Sequence, residues 1–238
     1  MRNIKAVSLV VSCTLFLGAC GSSVKLAQKD AEPVTQDLVT VSTMPTIVII
    51  PGWRDSGPGH WQSLWADRIQ GAVRVQQDDW ISPVRPSWVR SIAQTILAQP
   101  GPVVVVAHSL GCIATMHLPP EAVARIQGAL LVAPADPERR AALADFAPVP
   151  HQKLPYRNVL VASSNDPFCP IRLAGAYARA WGSELVRIQD GGHINLESGH
   201  GEWPLGLALL QSLMGDAGLS FNAPASPVAK PIDTLETA

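Results

Sequence analysis

No basic run, no P-loop and no GxGxxG fingerprint occurs anywhere in these 238 residues. Their absence removes the usual sequence grounds for a nucleic-acid, nucleotide or dinucleotide ligand. Charge of either sign is scarce. Only 16% of residues are charged, and 18 Lys and Arg against 19 Asp and Glu leave a formal net charge of -1. Such a chain has no strong long-range field with which to seek a polyanion or an anionic surface. Cysteine is also sparse, with four in all. Cys112 and Cys169 read as small buried fillers, with a disulfide between them open in an oxidising compartment. What the chain has in plenty is apolar residues, at 47%. That suits one globular domain with an ample core.

The most informative stretch is Val103-Val104-Val105-Val106-Ala107-His108-Ser109-Leu110-Gly111. An apolar strand runs into a serine with a small residue two positions to either side, and a helical pattern begins at Leu110. Strand, sharp turn, helix is the context of a nucleophile elbow. A serine hydroxyl is a poor nucleophile at neutral pH and needs both a fixed, exposed position and a general base. Positions 107 and 111 must be small because neighbouring backbone crowds them. Ala107 departs from the usual glycine. The plainer alternative is a buried strand ending in a serine helix cap.

An elbow serine needs an acid and a histidine, in the chain order Ser, Asp, His. Residues 159–162 form a short apolar strand, followed by Ser163-Ser164-Asn165-Asp166-Pro167. Residues 185–188 form a later one, followed by Gln189-Asp190-Gly191-Gly192-His193. The carboxyl ends of parallel strands are where open α/β sheets build their sites. Ser109 is therefore expected to attack a carbonyl, His193 to take and return its proton, and Asp166 to hold the imidazole tautomer. Backbone N–H groups of Leu110 and Trp53 are the candidate oxyanion donors. Trp53 belongs to the Pro51-Gly52-Trp53-Arg54 loop, directly after the strand at 46–50. Asp136, after the strand at 126–133, is the rival for the acid role. Asp190 reads as a turn residue. His60, His108, His117 and His200 read as structural or surface residues. Asp190, His193 and His200 match no zinc spacing, so no metal is expected.

Around these motifs, strand patterns alternate with helical ones. Trp61, Leu64, Trp65 and Ile69 mark one helix face, and Trp88, Ile92 and Ile96 mark another behind Pro86. Further helices are expected at 171–181 and 203–214, and a short edge strand at 72–76. This order implies a mostly parallel sheet with helices on both faces. The proline-rich segment 134–157 is the only room for a lid. It is short, which favours an open pocket and small acyl substrates.

The N-terminus is separate. Arg2 and Lys5 precede an apolar run over residues 6–17, which has the length of a signal h-region and is too short to span a bilayer. Leu17-Gly18-Ala19-Cys20 is similar to a bacterial lipoprotein box. The expected organisation is a signal at 1–19, a tether at 20–44 carrying lipid on Cys20, the catalytic domain at 45–214 and a disordered tail at 215–238. The expected location is the cell envelope, facing the periplasm. A plain signal peptide is the alternative, as is a start at Met44, which would leave the domain cytoplasmic.

Taken together, the residues from Pro45 to about Met214 resemble the YdeN-like serine hydrolases, the α/β-hydrolase family of retinoblastoma-binding protein nine. The matching pieces are the opening I-V-I-I-P-G-W, Gly59-His60-Trp61, Asp79-Trp80 with Pro83 and Trp88, His108-Ser109-Leu110-Gly111, Ser163-Asn165-Asp166-Pro167 and Gly191-Gly192-His193-Ile194-Asn195. The resemblance implies a single-domain α/β-hydrolase fold, cleavage of small esters, no cofactor, and a triad on Ser109, Asp166 and His193. Members generally begin at the first strand, so the N-terminal extension is a departure from the pattern. Amide or peptide cleavage on the same residues stays open, as does a non-catalytic binding module, because fold alone does not fix function. If the lipoprotein reading holds, cells fed a fatty-acid analogue will label this protein. The label will vanish in Cys20→Ser, and its persistence there would refute attachment at that residue.

Overall fold

Four consecutive valines favour a strand. Branching at Cβ restricts them in a helix and suits the pleated surface of a sheet. In the computed structural model, which describes residues 44–222, they form most of β3 (Val103–His108), every residue of which is buried. A continuous apolar run of this kind belongs to a strand covered on both faces. Its neighbours are β1 (Thr46–Ile50), β2 (Val73–Arg74), β4 (Ile126–Val132), β5 (Arg157–Ser163) and β6 (Glu184–Ile188). The sheet has six strands in the order β2-β1-β3-β4-β5-β6. All five pairings are parallel, so the expected mostly parallel sheet is parallel throughout. Ile50 pairs with Ala107 and His108 with Val132, which brings the carboxyl ends of β1, β3 and β4 to one rim.

Parallel neighbours need crossovers, and helices provide them. These are α1 (Trp61–Arg68), α2 (Arg85–Leu97), α3 (Leu110–Thr115), α4 (Pro120–Val123), α5 (Ile171–Trp181) and α6 (Pro204–Met214). Strand alternation divides the core in two. Val48, Ile50, Val105, Ala107 and Leu131 pack with Trp88, Ile92, Ile113 and Trp181 from α2, α3 and α5. Ile47, Ile49, Val104, Val106 and Leu130 pack on the other face with Trp61, Trp65 and Leu210 from α1 and α6. Each such side chain contributes about 1.5–3 kcal/mol when fully buried. Among the described residues, no helix is long and apolar enough to cross a membrane.

Several elements differ from expectation. β2 is only two residues long. The one-turn α4 was not anticipated, because its single turn between Pro119 and Arg125 is too short to show a period. The segment 134–157 carries two 3-10 helices, Pro137–Arg139 and Ala141–Phe146. The tail expected from residue 215 is ordered as far as Asn222. A 3-10 turn at Gly215–Ala217 leads back to α1, where Phe221 bridges Ile69 and the Gln70 N–H donates to the Ser220 carbonyl at 2.8 Å. The reason is backbone pairing across distant segments, which composition does not report. The signal, Cys20 and the rest of the tail lie outside the described residues.

Two glycines let the rim close. A Cβ on Gly111 would sit 2.5 Å from the Ile50 carbonyl oxygen and 2.7 Å from that of Pro51. A Cβ on Gly52 would sit 2.7 Å from Ser109 Cβ. Because the obstacles at Gly111 are backbone, the strain cannot be relieved by a side-chain rotation. Gly111→Ala should therefore destabilise the fold by about 2–3 kcal/mol. Gly57→Ala, with nothing within 4 Å of its Cβ, should stay within about 0.5 kcal/mol of the parent. Denaturant titration of the two variants checks both values, and equal effects would refute the close approach.

Candidate active site

Ser109 follows β3 with φ 54 and ψ -121, a conformation that costs a non-glycine residue about 1–3 kcal/mol. The surrounding backbone holds it there. The Ser109 N–H donates to the Val132 carbonyl at 3.0 Å, and the Ser109 carbonyl accepts from Cys112 N–H at 3.1 Å and Ala135 N–H at 3.3 Å. The turn points the side chain into a cleft of about 410 Å3 at the carboxyl rim of the sheet.

Asp166, after β5, and His193, after β6, reach the same point. His193 Nδ1 lies 2.9 Å from both carboxylate oxygens of Asp166. His193 Nε2 lies 2.9 Å from Ser109 Oγ. An ionised carboxylate can only accept, so Nδ1 carries the proton; in the neutral ring Nε2 is then bare and accepts from the serine hydroxyl. All three residues are buried, at 7% exposure for Ser109, 9% for Asp166 and 7% for His193. The three residues expected to meet do meet, in hydrogen-bonding order.

The competing residues are occupied elsewhere. Asp136 Oδ1 accepts from the Glu138 N–H at 3.1 Å, capping the short helix that follows, and Oδ2 lies 4.0 Å from Arg139 Nε. Asp190 sits at φ 52, and its Oδ1 accepts from the Ser164 hydroxyl at 3.1 Å, as a turn residue would. His117 bonds to the Phe146 carbonyl and His200 lies beside Ser198. Cys112 and Cys169 are free thiols, both buried. Among the described residues, no group of three His, Cys, Asp or Glu is arranged to hold a metal. Trp53 lines the cleft beside Gly52. Among the described residues, neither the Trp53 nor the Leu110 amide is paired with a backbone carbonyl outside the regular elements.

Several supporting residues escaped the sequence reading. His108, expected to be structural or surface, is buried and donates from Nε2 to the His193 carbonyl at 2.9 Å. Trp61 Nε1 donates to the next carbonyl, Ile194, at 2.9 Å. Asn165 Oδ1 accepts from the Gly192 N–H at 2.7 Å and from the Ser163 hydroxyl at 2.8 Å, joining the acid loop to the histidine loop. The Phe168 ring lies 4.3 Å from that of His193, and its N–H donates to Asp166 Oδ1 at 2.8 Å. Gln62 ties the end of β1 to β3 by donating to the Ile50 carbonyl at 3.1 Å and the Val106 carbonyl at 3.2 Å. The signal available for His108 and Asn165 was their place beside a strand end, but their partners lie far along the chain.

Comparison with known proteins agrees with this geometry. A family model described as serine hydrolase matches residues 47–212. Among solved structures, a YdeN-like hydrolase from Pectobacterium atrosepticum is similar at 35% identity, over 75% of this chain and 95% of the other, with a TM-score of 0.67. The ydeN gene product of B. subtilis is similar at 23% identity, over 71% and 98%, with a TM-score of 0.57. Esterase 2 of Thermogutta terrifontis shares the fold at 16% identity, over 75% and 85%, with a TM-score of 0.54. Comparison with curated proteins gives no match.

Two further histidines surround the central one. The His108 ring lies 4.8 Å from that of His193 and 5.1 Å from that of His60. Burial above all, then the charge of His193, holds His108 well below the usual histidine range. Burial likewise lowers His60 from 6.5 to about 4, with help from His193 and Arg74. Both therefore stay neutral near pH 7 and place no added positive charge beside His193. Unfolded, each would bind a proton near pH 6.5, whereas folded His60 waits until about pH 4. Between those values the unfolded chain holds more protons, so stability falls as pH is lowered. By about pH 5 the shift of His60 should account for up to about 2 kcal/mol, and that of His108 acts in the same direction. Urea unfolding at about pH 7 and about pH 5 should show a steeper loss in the parent than in His108→Gln. Equal losses would contradict the burial of a neutral imidazole at this position.

Proposed function

The chain belongs to the serine hydrolase family, and from that premise we propose that it cleaves small carboxylic esters through an acyl-enzyme on Ser109. What supports the reading is the unbroken relay from Ser109 Oγ through His193 to Asp166, with each link at 2.9 Å, at the floor of an open cleft. The Ser109 hydroxyl attacks the ester carbonyl while His193 Nε2 takes its proton. Asp166 keeps the proton on Nδ1 and stabilises the imidazolium. The oxyanion is held by the Leu110 and Trp53 N–H groups, whose preorganisation lowers the barrier. His193 then protonates the departing alkoxide. Water, activated by the same nitrogen, releases the acid and regenerates the serine. No metal or cofactor enters these steps. Attachment to the cell envelope through lipid on Cys20 is a further part of this proposal, supported by residues 2–20 alone.

A fluorophosphonate probe and a series of para-nitrophenyl esters test this reading. The probe should label the parent and fail on Ser109→Ala, whose turnover should drop by about 10^4-fold or more. Asp166→Asn should cost about 10^3–10^4-fold, because the amide favours the wrong tautomer. Asp136→Asn should stay within about threefold, since its carboxylate caps a 3-10 helix away from His193. Near-parental turnover in Ser109→Ala would remove the nucleophile. A larger loss in Asp136→Asn than in Asp166→Asn would reassign the acid.

A further inference from the structure

The cleft above Ser109 carries two arginines that the reaction just described does not use. Arg54, from the loop after β1, and Arg140, between the two 3-10 helices after β4, both line it. The Arg54 guanidinium carbon lies 4.4 Å from the centre of the Trp53 ring, and that of Arg140 lies 4.4 Å from the centre of the Phe168 ring. Both rings are themselves held. Trp53 Nε1 donates to the Ile81 carbonyl at 2.8 Å, and Phe168 packs on His193. Stacking occupies one face of a guanidinium and leaves its in-plane N–H donors free for a carboxylate.

Those donors have no such partner among the described residues. Among the described residues, neither Arg54 nor Arg140 has a carboxylate within 4.0 Å. The acidic lining residues are Asp55 and Glu197. Asp55 is committed to Arg74 at 2.5 Å. Glu197 is then the one uncommitted acid among the lining residues, and His60 and His108 are neutral near pH 7. Among the residues that line the cleft, two arginines thus stand against one uncommitted carboxylate. The Arg54 backbone is also placed at a cost. Arg54 and Asp55 stand at φ 69 and φ 66, held by the Arg54 N–H to the Trp80 carbonyl at 2.9 Å.

We propose that Arg54 and Arg140 bind a free carboxylate on the substrate, so that this hydrolase acts on acidic esters, in which one carboxyl group is esterified and another, on the acyl part or on the alcohol, is ionised. The inference rests on Ser109 being the nucleophile. The acyl–oxygen bond breaks, water supplies the hydroxyl of the new acid and the proton of the alcohol, and the anchoring carboxylate passes through unchanged.

Two matched pairs of esters test it. In the first, para-nitrophenyl hydrogen adipate is compared with para-nitrophenyl hexanoate, which puts the charge in the acyl part. In the second, the acetyl ester of para-hydroxybenzoate is compared with phenyl acetate, which puts it in the leaving group. In at least one pair, kcat/KM for the charged ester should exceed that of its neutral match by about five- to tenfold at low ionic strength. The ratio should shrink as salt is raised from about 20 mM to about 500 mM, across which the screening length falls severalfold. It should approach unity in the Arg54→Gln/Arg140→Gln double variant, and Arg140→Lys should retain part of it. Fluorophosphonate labelling of Ser109 in each variant verifies an intact fold. Ratios near unity in both pairs for the parent, or a preference that survives the double variant, would overturn the proposal. If the probe labels Ser109 but neither charged ester turns over, acidic esters are excluded while the nucleophile stands. Absence of labelling in the parent would remove the nucleophile, and this inference with it.

Discussion

The site depends on two stretches of backbone lying against each other with no side chain between them. The loop after β1 touches the turn after β3 at Gly52 and Gly111, where an added methyl would come within 2.7 Å or less of Ser109 Cβ or of the carbonyls of Ile50 and Pro51. This contact brings the loop that carries Trp53 against the turn that carries Ser109. It also explains why a costly serine conformation persists. Sheet pairing fixes Ser109 from the β4 side through Val132 and Ala135, and the first loop closes over it from the β1 side. A conformation determined from both directions does not relax.

Around that contact the structure is built in rings. The innermost is the relay of Ser109, His193 and Asp166. Next come groups that hold backbone rather than substrate. His108 and Trp61 grip consecutive carbonyls at His193 and Ile194, while Asn165 grips the amide of Gly192. Outside these stand the aromatic rings with their arginines, Trp53 with Arg54 and Phe168 with Arg140. The charge of the basic side chains that the relay does not use follows their depth. Buried imidazoles stay uncharged because burial disfavours the cation. Guanidiniums, which keep their proton under all ordinary conditions, sit at the rim where water still reaches them.

Much of this could be read from the chain because the signals were local. Val103 to Gly111 declared strand, turn and helix within a few residues, and the strand ends before Asp166 and His193 were marked by apolar runs stopping at polar loops. Asp136 and Asp166 could not be separated that way, since both stand after neighbouring strands of the same sheet. The distinction lies in where each carboxylate finds hydrogen bonds. Asp136 meets the amide of Glu138 two residues on, whereas Asp166 reaches across to His193. What His108 holds was hidden for the same reason, although a structural role was expected of it. A histidine at the end of a valine strand can be called structural, but the carbonyl it donates to lies 85 residues later. The ordered segment to Asn222 and the single turn of α4 were hidden because neither carries a periodic pattern.

Asn165 and Ser164 join the loop after β5 directly to the loop after β6, through Gly192 and Asp190. Acid and base are therefore registered against each other by a staple that bypasses the α5 crossover between them. The turn before α5 is bound to the relay through Phe168, whose amide holds Asp166, so the helix beyond it is the natural place for related chains to diverge and for an insertion to be accommodated.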